Sequence, residues 1–305
     1  MKQLKVNNSK IVSDDQGMFV FRFVLKSHLD AEFMARKWQM YDGSQRCVDD
    51  LMDHVQEMRE QTPDRFARMC LLSREIIDLG IDGLTLDTVL KRFSQVKTNA
   101  LTIANELSVD DILHYPASGL YVDLAVFDHS CRPNATRTCL GRTMTVRAVK
   151  DIDTDKDKIC ITYIDSHRTR AERQARLKQL YFFDCQCELC MDTDGDHYIA
   201  EINHIRTKIT SSYVLAPGLQ TELSKNMRDM ITKVEGEYSV SKIDLLRIEL
   251  ELAVRENARR PSPSNISMWK ELKSQMKVIY GIDHPFSRYC LQLGATIGLD
   301  RYSRH

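Results

Sequence analysis

Two kinds of hydrophobic pattern divide this chain. From residue 18 to about residue 112, apolar residues recur every three or four positions, a spacing that predicts amphipathic helices. The breaks at Asp42-Gly43, Thr62-Pro63 and 80–83 separate these helices, because glycine and proline interrupt regular structure. We therefore expect a helical bundle over this stretch.

The pattern becomes strand-like between residues 116 and 164. Residues 119–127 are apolar and partly β-branched, and 158–164 has the same character. Two short runs, 135–140 and 143–149, flank a glycine-containing turn and predict a β-hairpin. The centre of the chain is therefore expected to be a small β-rich region.

Helices return after this centre. Residues 168–180 predict a charged helix, and its arginines, including Arg173, are expected on a solvated face because charged runs of this kind usually face solvent. Glu172 interrupts them, so they do not form a continuous basic face. Further helices are predicted at 199–211, 219–235, 242–258, 266–279 and 286–297. Helix pairs of this length resemble a tetratricopeptide-like array, although no 34-residue repeat is visible. Helices on both sides of a β-rich centre predict the α+β class.

Composition and charge exclude several classes of protein. The 305 residues include 43 Lys+Arg and 43 Asp+Glu, and a net charge of zero argues against a dedicated nucleic-acid binder. No stretch approaches the roughly 20 apolar residues that span a bilayer. The first residues also lack the basic and apolar pattern of a signal peptide. We expect neither membrane insertion nor direct binding of nucleic acid.

Three of the nine cysteines, Cys185, Cys187 and Cys190, lie within six residues. A disulfide framework would spread its cysteines along the chain, whereas so tight a group suits thiolates that converge on one metal ion. An odd number of cysteines without a secretion signal also favours a reducing compartment. The sequence therefore indicates a metal-binding cluster.

Two further segments precede this cluster. Residues 127–134 read Phe-Asp-His-Ser-Cys-Arg-Pro-Asn, which alone is typical of a polar turn with a hydrogen-bonded histidine. Ile-Thr-Tyr-Ile-Asp follows at 161–165, and Tyr-Phe-Phe-Asp-Cys-x-Cys-x-x-Cys occupies 181–190. In this order the segments closely resemble the catalytic half of SET-domain methyltransferases, in the form of the SET-and-MYND (SMYD) protein lysine methyltransferases. The segment Tyr-Gly-x-x-His-Pro at 280–285 resembles a tail motif of that family.

The resemblance is close over 119–190 and looser in the flanking helices. It implies a SET catalytic core at 116–184, preceded by a helical insertion at 1–115. A post-SET zinc cluster at 185–196 and a helical C-terminal domain at 197–305 would follow.

The resemblance also implies site residues. Tyr163, on a strand that helps to hold S-adenosylmethionine (AdoMet), matches the catalytic tyrosine, and Tyr181 matches a second tyrosine that lines the lysine channel. His129 matches a histidine beside AdoMet, and Phe183 matches an aromatic residue that packs on the adenine. Asp128 stands where the family has asparagine. A carboxylate cannot donate a hydrogen bond to the carboxylate of AdoMet and repels it, but it can attract the ammonium group.

Structural zinc requires four ligands, and the dense cluster supplies three. The resemblance implies Cys131 as the fourth, beside Cys185, Cys187 and Cys190. His197 as the fourth ligand, or a redox cluster instead of a metal site, are the alternatives. A zinc ion here would organise the active site without entering the chemistry.

Two segments of the family have no counterpart in this sequence. The cysteine-and-histidine pattern of a MYND finger does not occur before Cys131, and no Gly-x-Gly turn occurs anywhere. We therefore expect the chain to lack the MYND finger and the N-terminal SET segment, and with them at least one cofactor contact.

The sequence thus favours an AdoMet-dependent protein-lysine N-methyltransferase, with histone or other protein lysines as substrates. We expect a monomer in the nucleus, the cytoplasm or both. The missing Gly-x-Gly segment and the replacement at Asp128 motivate an alternative, a catalytically impaired SET-derived zinc scaffold that binds a partner protein through its C-terminal helices. A helical repeat protein with a zinc knuckle is a third interpretation.

Overall fold

The described residues form two compact units. The computed structural model describes residues 15–103, 117–153, 156–164, 168–192, 263–296, 298–299 and 301, and the single positions 204, 207, 222, 225 and 226. The first unit contains the described residues of 15–103, 117–126 and 177–183, and the second contains those of 127–176 and from 184 onward. The domain bounds expected from the sequence stay a prediction.

The first unit is mainly helical. Its helices are α1 (Asp15–Leu29), α2 (Ala31–Ala35), α3 (Val55–Gln61), α4 (Pro63–Ile77) and α5 (Leu86–Asn99). Their periodic apolar positions meet in one core, in which Val20, Ile76 and Phe93 are almost completely buried. Thr85 caps α5, because its hydroxyl oxygen accepts a hydrogen bond from the backbone N–H of Thr88. The helical bundle expected from the sequence is confirmed for the described helices.

The first unit also contains two small antiparallel sheets that the sequence did not predict. β1 (Trp38–Gln39) pairs with β2 (Gln45–Arg46), and β3 (Ala100–Ile103) pairs with β4 (Ala117–Leu120). Two short 3₁₀ helices occur at Val48–Asp50 and Leu124–Val126. The strand-like stretch at 119–127 therefore continues as a strand only to residue 120.

The second unit is built around a hairpin and a short parallel pair of strands. β5 (Asp128–His129) pairs in parallel with β8 (Cys160–Ile161), and β6 (Ala135–Leu140) pairs with β7 (Thr143–Ala148). The hairpin is confirmed, and Gly141 has a φ of 59° in its two-residue turn. The helices that follow are α6 (Arg170–Tyr181), α7 (Glu188–Met191), α8 (Pro263–Ile279) and α9 (Pro285–Thr296). The residues of α6 are divided between the two units.

The predicted tail segment at 280–285 forms the turn between α8 and α9. Gly281 has a φ of 84°, and the ring of Tyr280 packs 5.0 Å from the ring of His284. His284 Nε2 lies 3.4 Å from the carbonyl oxygen of Cys139 in β6. The turn is thus joined to the hairpin of the second unit.

The helices predicted near 168–180, 266–279 and 286–297 are confirmed with small changes at their ends. The three predicted between 199 and 258 lie outside the described residues, apart from the single positions. The combination of helices and small sheets agrees with the α+β class. None of the described helices is both long enough and apolar enough to traverse a bilayer.

Candidate active site and metal centre

Four cysteine sulfurs meet in the second unit. They belong to Cys131, Cys185, Cys187 and Cys190, and all lie within 4.8 Å of one another. No disulfide joins these four residues, although the sulfurs of Cys131 and Cys190 are 3.5 Å apart. Zinc–sulfur bonds of about 2.3 Å in a tetrahedron would place the sulfurs about 3.8 Å apart. The four side chains therefore have the spacing of a structural zinc site, whereas His197 lies outside the described residues.

The charge of the cluster also suits a soft divalent cation. Hydrogen bonds lower the pKa of Cys187 to about 3. The largest contribution comes from the Cys131 thiol, and smaller ones come from the backbone N–H groups of Cys131 and Cys190. Hydrogen bonding to Cys187 and burial raise the pKa of Cys131, and burial raises that of Cys185 to about 11. Thiolates this close repel one another, so a cation is needed for all four to ionise. Zn²⁺ is the common cation for four thiolates.

Gln174 of α6 holds one end of the cluster. Its side-chain Nε2 donates to the carbonyl oxygen of Cys185 at 2.6 Å, and the backbone N–H of Cys185 donates to its Oε1 at 2.9 Å. This two-way hydrogen bond fixes where the chain leaves α6 and enters the cluster. Sequence patterns do not indicate this role, because a glutamine among charged residues is typical of a solvated helix face.

Arg173, the preceding residue, corrects the expectation of a solvated face. Its side chain is completely buried. Nη1 donates to the carbonyl oxygen of Arg168 at 2.5 Å, and Nη2 donates to that of Leu189 at 3.2 Å. Nη2 also lies 3.9 Å from Cys190 Sγ. A charged guanidinium is buried only beside compensating partners, and an anionic thiolate cluster is one.

His129 lies between the cluster and Tyr163. Its Nδ1 accepts the backbone N–H of Tyr163 at 3.0 Å, and its Nε2 lies 3.2 Å from Cys131 Sγ. The pKa of His129 is lowered to about 4, mainly by burial and also by the charge of Arg173, against the opposing effect of the Cys187 thiolate. The ring is therefore neutral, and its hydrogen bonds assign the proton to Nε2.

Tyr163 follows β8 and is half-buried. Its hydroxyl donates to the carbonyl oxygen of Phe127 at 2.5 Å, and its ring lies 5.3 Å from the ring of His129. The buried Asn134 supports the same strand, because its Oδ1 accepts the backbone N–H of Cys160 and its Nδ2 donates to the carbonyl oxygen of Lys158. Tyr163 is thus fixed at both its backbone and its hydroxyl. Sequence patterns alone did not assign Asn134 a role.

Asp128 is exposed on β5. Its carboxylate forms an ion pair with the ammonium group of Lys158. The pair presents one negative and one positive charge at the surface, next to the strand that leads to Tyr163. The sequence did not indicate that a lysine accompanies the replacement at position 128.

Tyr181 and Phe183 belong to the first unit and are half-buried at the end of α6. They flank Phe182, which has a φ of 62° and packs 5.1 Å from the ring of His54. Phe182 also contacts the apolar core of the first unit. Positive φ is uncommon for a bulky residue. The roles that the resemblance implies for Tyr181 and Phe183 stay predictions.

Known proteins show similarity to part of this chain. An N-lysine methyltransferase SMYD2 of Homo sapiens is 34% identical over 119 residues, which are 39% of this chain and 26% of that protein. The histone-lysine N-methyltransferase ASHR1 of Arabidopsis thaliana is 31% identical over 154 residues, which are 50% of this chain and 30% of that protein. SMYD2-B of Danio rerio is 33% identical over 146 residues, 48% of this chain and 31% of that protein.

The aligned stretch thus spans between a quarter and a third of each relative's length. No known protein-family model matches the chain. The similarities support a relationship with the SMYD and SET lysine methyltransferases, as the sequence motifs indicated.

Proposed function

We propose that this chain is an AdoMet-dependent protein-lysine N-methyltransferase. The observation that carries the proposal is the position of Tyr163, whose hydroxyl donates to Phe127 and whose backbone N–H donates to His129. Similarity to proteins named as lysine methyltransferases supports the same reaction. The substrate is a lysine of a histone or of another protein, and the chain acts as a monomer in the nucleus, the cytoplasm or both.

Zinc, held by Cys131, Cys185, Cys187 and Cys190, has a structural role in this proposal. All four ligand positions are filled by the protein, and a closed site of this kind stabilises a fold and leaves no position for a substrate. The cluster joins the segment after β5 to the segment after α6. The residues around Tyr163 therefore depend on it for their positions.

The charges beside the strand fit the amino-acid end of AdoMet. That end carries an ammonium group and a carboxylate group, and Asp128 and Lys158 offer the two opposite charges. Lys158 would then hold the carboxylate that Asp128 repels, while Asp128 holds the ammonium. When bound, AdoMet supplies the activated methyl group. Phe183 remains the candidate for stacking on the adenine.

Tyr163 orients the lysine for the transfer. Because its hydroxyl proton is directed to the Phe127 carbonyl, the lone pairs of the phenolic oxygen can accept an N–H of the lysine. An amine held in this way presents its own lone pair in a fixed direction. Fixed geometry is a major source of rate in a displacement without a covalent intermediate. Tyr181 is proposed to line the path of the lysine side chain, whose charge aromatic rings attract.

A transfer assay tests this function. The purified chain is incubated with methyl-labelled AdoMet and with histones or a cell lysate, and label on protein is counted. We expect transfer by the wild-type chain and a loss of at least about 100-fold in Tyr163→Phe, because the oxygen that orients the amine is removed and misplacement of a reacting group can cost that much. Tyr280→Phe, whose ring packs on Phe286 in the turn between α8 and α9, serves as the matched control.

Absence of transfer by the wild-type chain, or equal transfer by Tyr163→Phe, would contradict the proposal. Titration of the chain with AdoMet by calorimetry separates the scaffold alternative. A scaffold without a cofactor site would give no heat of binding, whereas the proposed enzyme binds AdoMet.

A further inference from the structure

The imidazole of His129 connects the cysteine cluster to Tyr163 through two hydrogen bonds. Nδ1 accepts the backbone N–H of Tyr163, so the ring proton lies on Nε2 and points to Cys131 Sγ. Both ring nitrogens therefore have protein partners. Neither bond needs a charged imidazole, because one nitrogen acts as donor and the other as acceptor.

The segment at 127–131 holds Tyr163 at more than this one point. The Phe127 carbonyl accepts the Tyr163 hydroxyl, and the backbone N–H of Ser130 donates to the carbonyl oxygen of Ile161 at 3.0 Å. His129 is paired with Ile161 in the parallel strands. A shift of Cys131 would therefore move the residues that fix both ends of Tyr163.

We propose that His129 is a positioning residue that couples the metal held by Cys131 to the backbone of Tyr163. The inference rests on the proposed function, because only a reactive Tyr163 makes the coupling matter for catalysis. A bound metal fixes Cys131 Sγ, the fixed sulfur orients the imidazole through Nε2–H, and the oriented ring holds the N–H of Tyr163. Groups that orient metal ligands typically change affinity or activity by about 10- to 100-fold when removed.

Two substitutions separate the ends of this connection. In His129→Asn, the side-chain oxygen can replace Nδ1 as the acceptor for Tyr163, but no donor reaches Cys131. In His129→Gln, the longer side chain can replace Nε2 as the donor to Cys131, but the acceptor for Tyr163 is lost. We expect zinc affinity to fall about 10-fold in the first variant and to change little in the second.

The direct test is nuclear magnetic resonance of the full chain with labelled tyrosine nitrogen. Only 11 tyrosines are present, and the signal missing from Tyr163→Phe identifies the Tyr163 amide. We expect this amide signal to shift when zinc is exchanged for ¹¹³Cd in the wild-type chain. The His129 Nε2 proton should also show scalar coupling to ¹¹³Cd through the sulfur of Cys131.

In His129→Asn and His129→Gln, the response of the Tyr163 signal to the metal exchange should be clearly smaller than in the wild-type chain, because only the bonds of Phe127 and Ser130 remain. His284→Gln is the matched control, because His284 is a buried histidine of the same unit that bonds Cys139 and Phe286. An undiminished shift in both His129 variants, or its loss in His284→Gln, would overturn the coupling. The measurement needs no methyl transfer, so failure of the coupling and failure of the proposed function give different results.

Discussion

The guanidinium of Arg173 lies 3.9 Å from the sulfur of Cys190, and its side chain is completely buried. Four thiolates around one Zn²⁺ carry a net charge of −2, and the positive charge of Arg173 reduces that burden inside the protein. Its two other bonds join the start of α6 to Leu189 in α7. Arg173 thus partly neutralises the negative charge of the thiolates and links the segments that carry them.

We expect Arg173→Met to weaken zinc binding about 10-fold, because a group that supports the metal ligands is lost. The free energy of unfolding should fall by about 2–3 kcal/mol, because the carbonyls of Arg168 and Leu189 lose their buried donor. Competition with a chelator and urea denaturation measure the two effects. Arg176→Met, at an exposed position of the same helix, should change neither quantity measurably. Equal effects of the two substitutions would show that Arg173 has no special part in the cluster.

Removal of the metal should loosen one region of the chain and leave the rest intact. The residues that the cluster joins are 127–134 and 184–192, so we expect their amides to exchange hydrogen faster after chelation. The core of the first unit, which includes Ile76 and Phe93, should keep its protection. Hydrogen exchange followed by mass spectrometry measures this. Zinc should restore protection and magnesium should not, whereas uniform loss across α4 and α5 would contradict a local role.

Lys158 and Lys156 form a matched pair for testing the cofactor site. Lys158 is paired with Asp128, whereas Lys156 is paired with Asp153 at 2.8 Å. We expect Lys158→Met to weaken AdoMet binding about 10-fold, because a hydrogen bond between charged groups contributes about 1.5–3 kcal/mol. Lys156→Met should bind as the wild-type chain does. Calorimetric titration measures both, and equal affinities in the two variants would exclude Lys158 from the site.

The packing of α8 against α9 depends on the absence of a side chain at Gly294. A Cβ atom there would lie 2.6 Å from the ring of Trp269, which is almost completely buried. Gly294→Ala should therefore lower the free energy of unfolding by about 1–3 kcal/mol, the range for overpacked cores. Thr296→Ala, at an exposed position of α9, is the control. Equal melting temperatures of the two variants would contradict the requirement for glycine at position 294.

Local patterns were sufficient to predict much of the fold. The hairpin at 135–148 follows from alternation and a glycine turn, and α6, α8 and α9 follow from helical periodicity. The pairing of β3 with β4 was not predicted, because sheets between distant segments depend on contacts that local periodicity does not show. The strand predicted at 158–164 is a strand only at 160–161. Its ladder ends where the Tyr163 N–H bonds a side chain and the Thr162 hydroxyl bonds the Ile164 carbonyl.

The site could be predicted in part. Spacing alone indicated a metal for Cys185, Cys187 and Cys190, but Cys131 became a candidate only through the resemblance to a family. The burial of Arg173 could not be foreseen, because an arginine in a charged helix is usually solvated. Local periodicity does not show that the chain after α6 turns back and places Leu189 and Cys190 beside the guanidinium. The bridging role of His129 was missed because one of its ring partners, the backbone N–H of Tyr163, is 34 residues away and meets the ring only in the folded chain.

X-ray absorption at the zinc edge of the purified, zinc-loaded chain identifies the atoms bound to the metal. We expect a shell of four sulfurs at about 2.3 Å, and three sulfurs with one lighter ligand in Cys131→Ser. Cys70→Ser, which changes a cysteine in the core of the first unit, should leave the four-sulfur shell unchanged. A shell dominated by nitrogen or oxygen, or one that Cys131→Ser does not alter, would contradict a metal centre that includes Cys131.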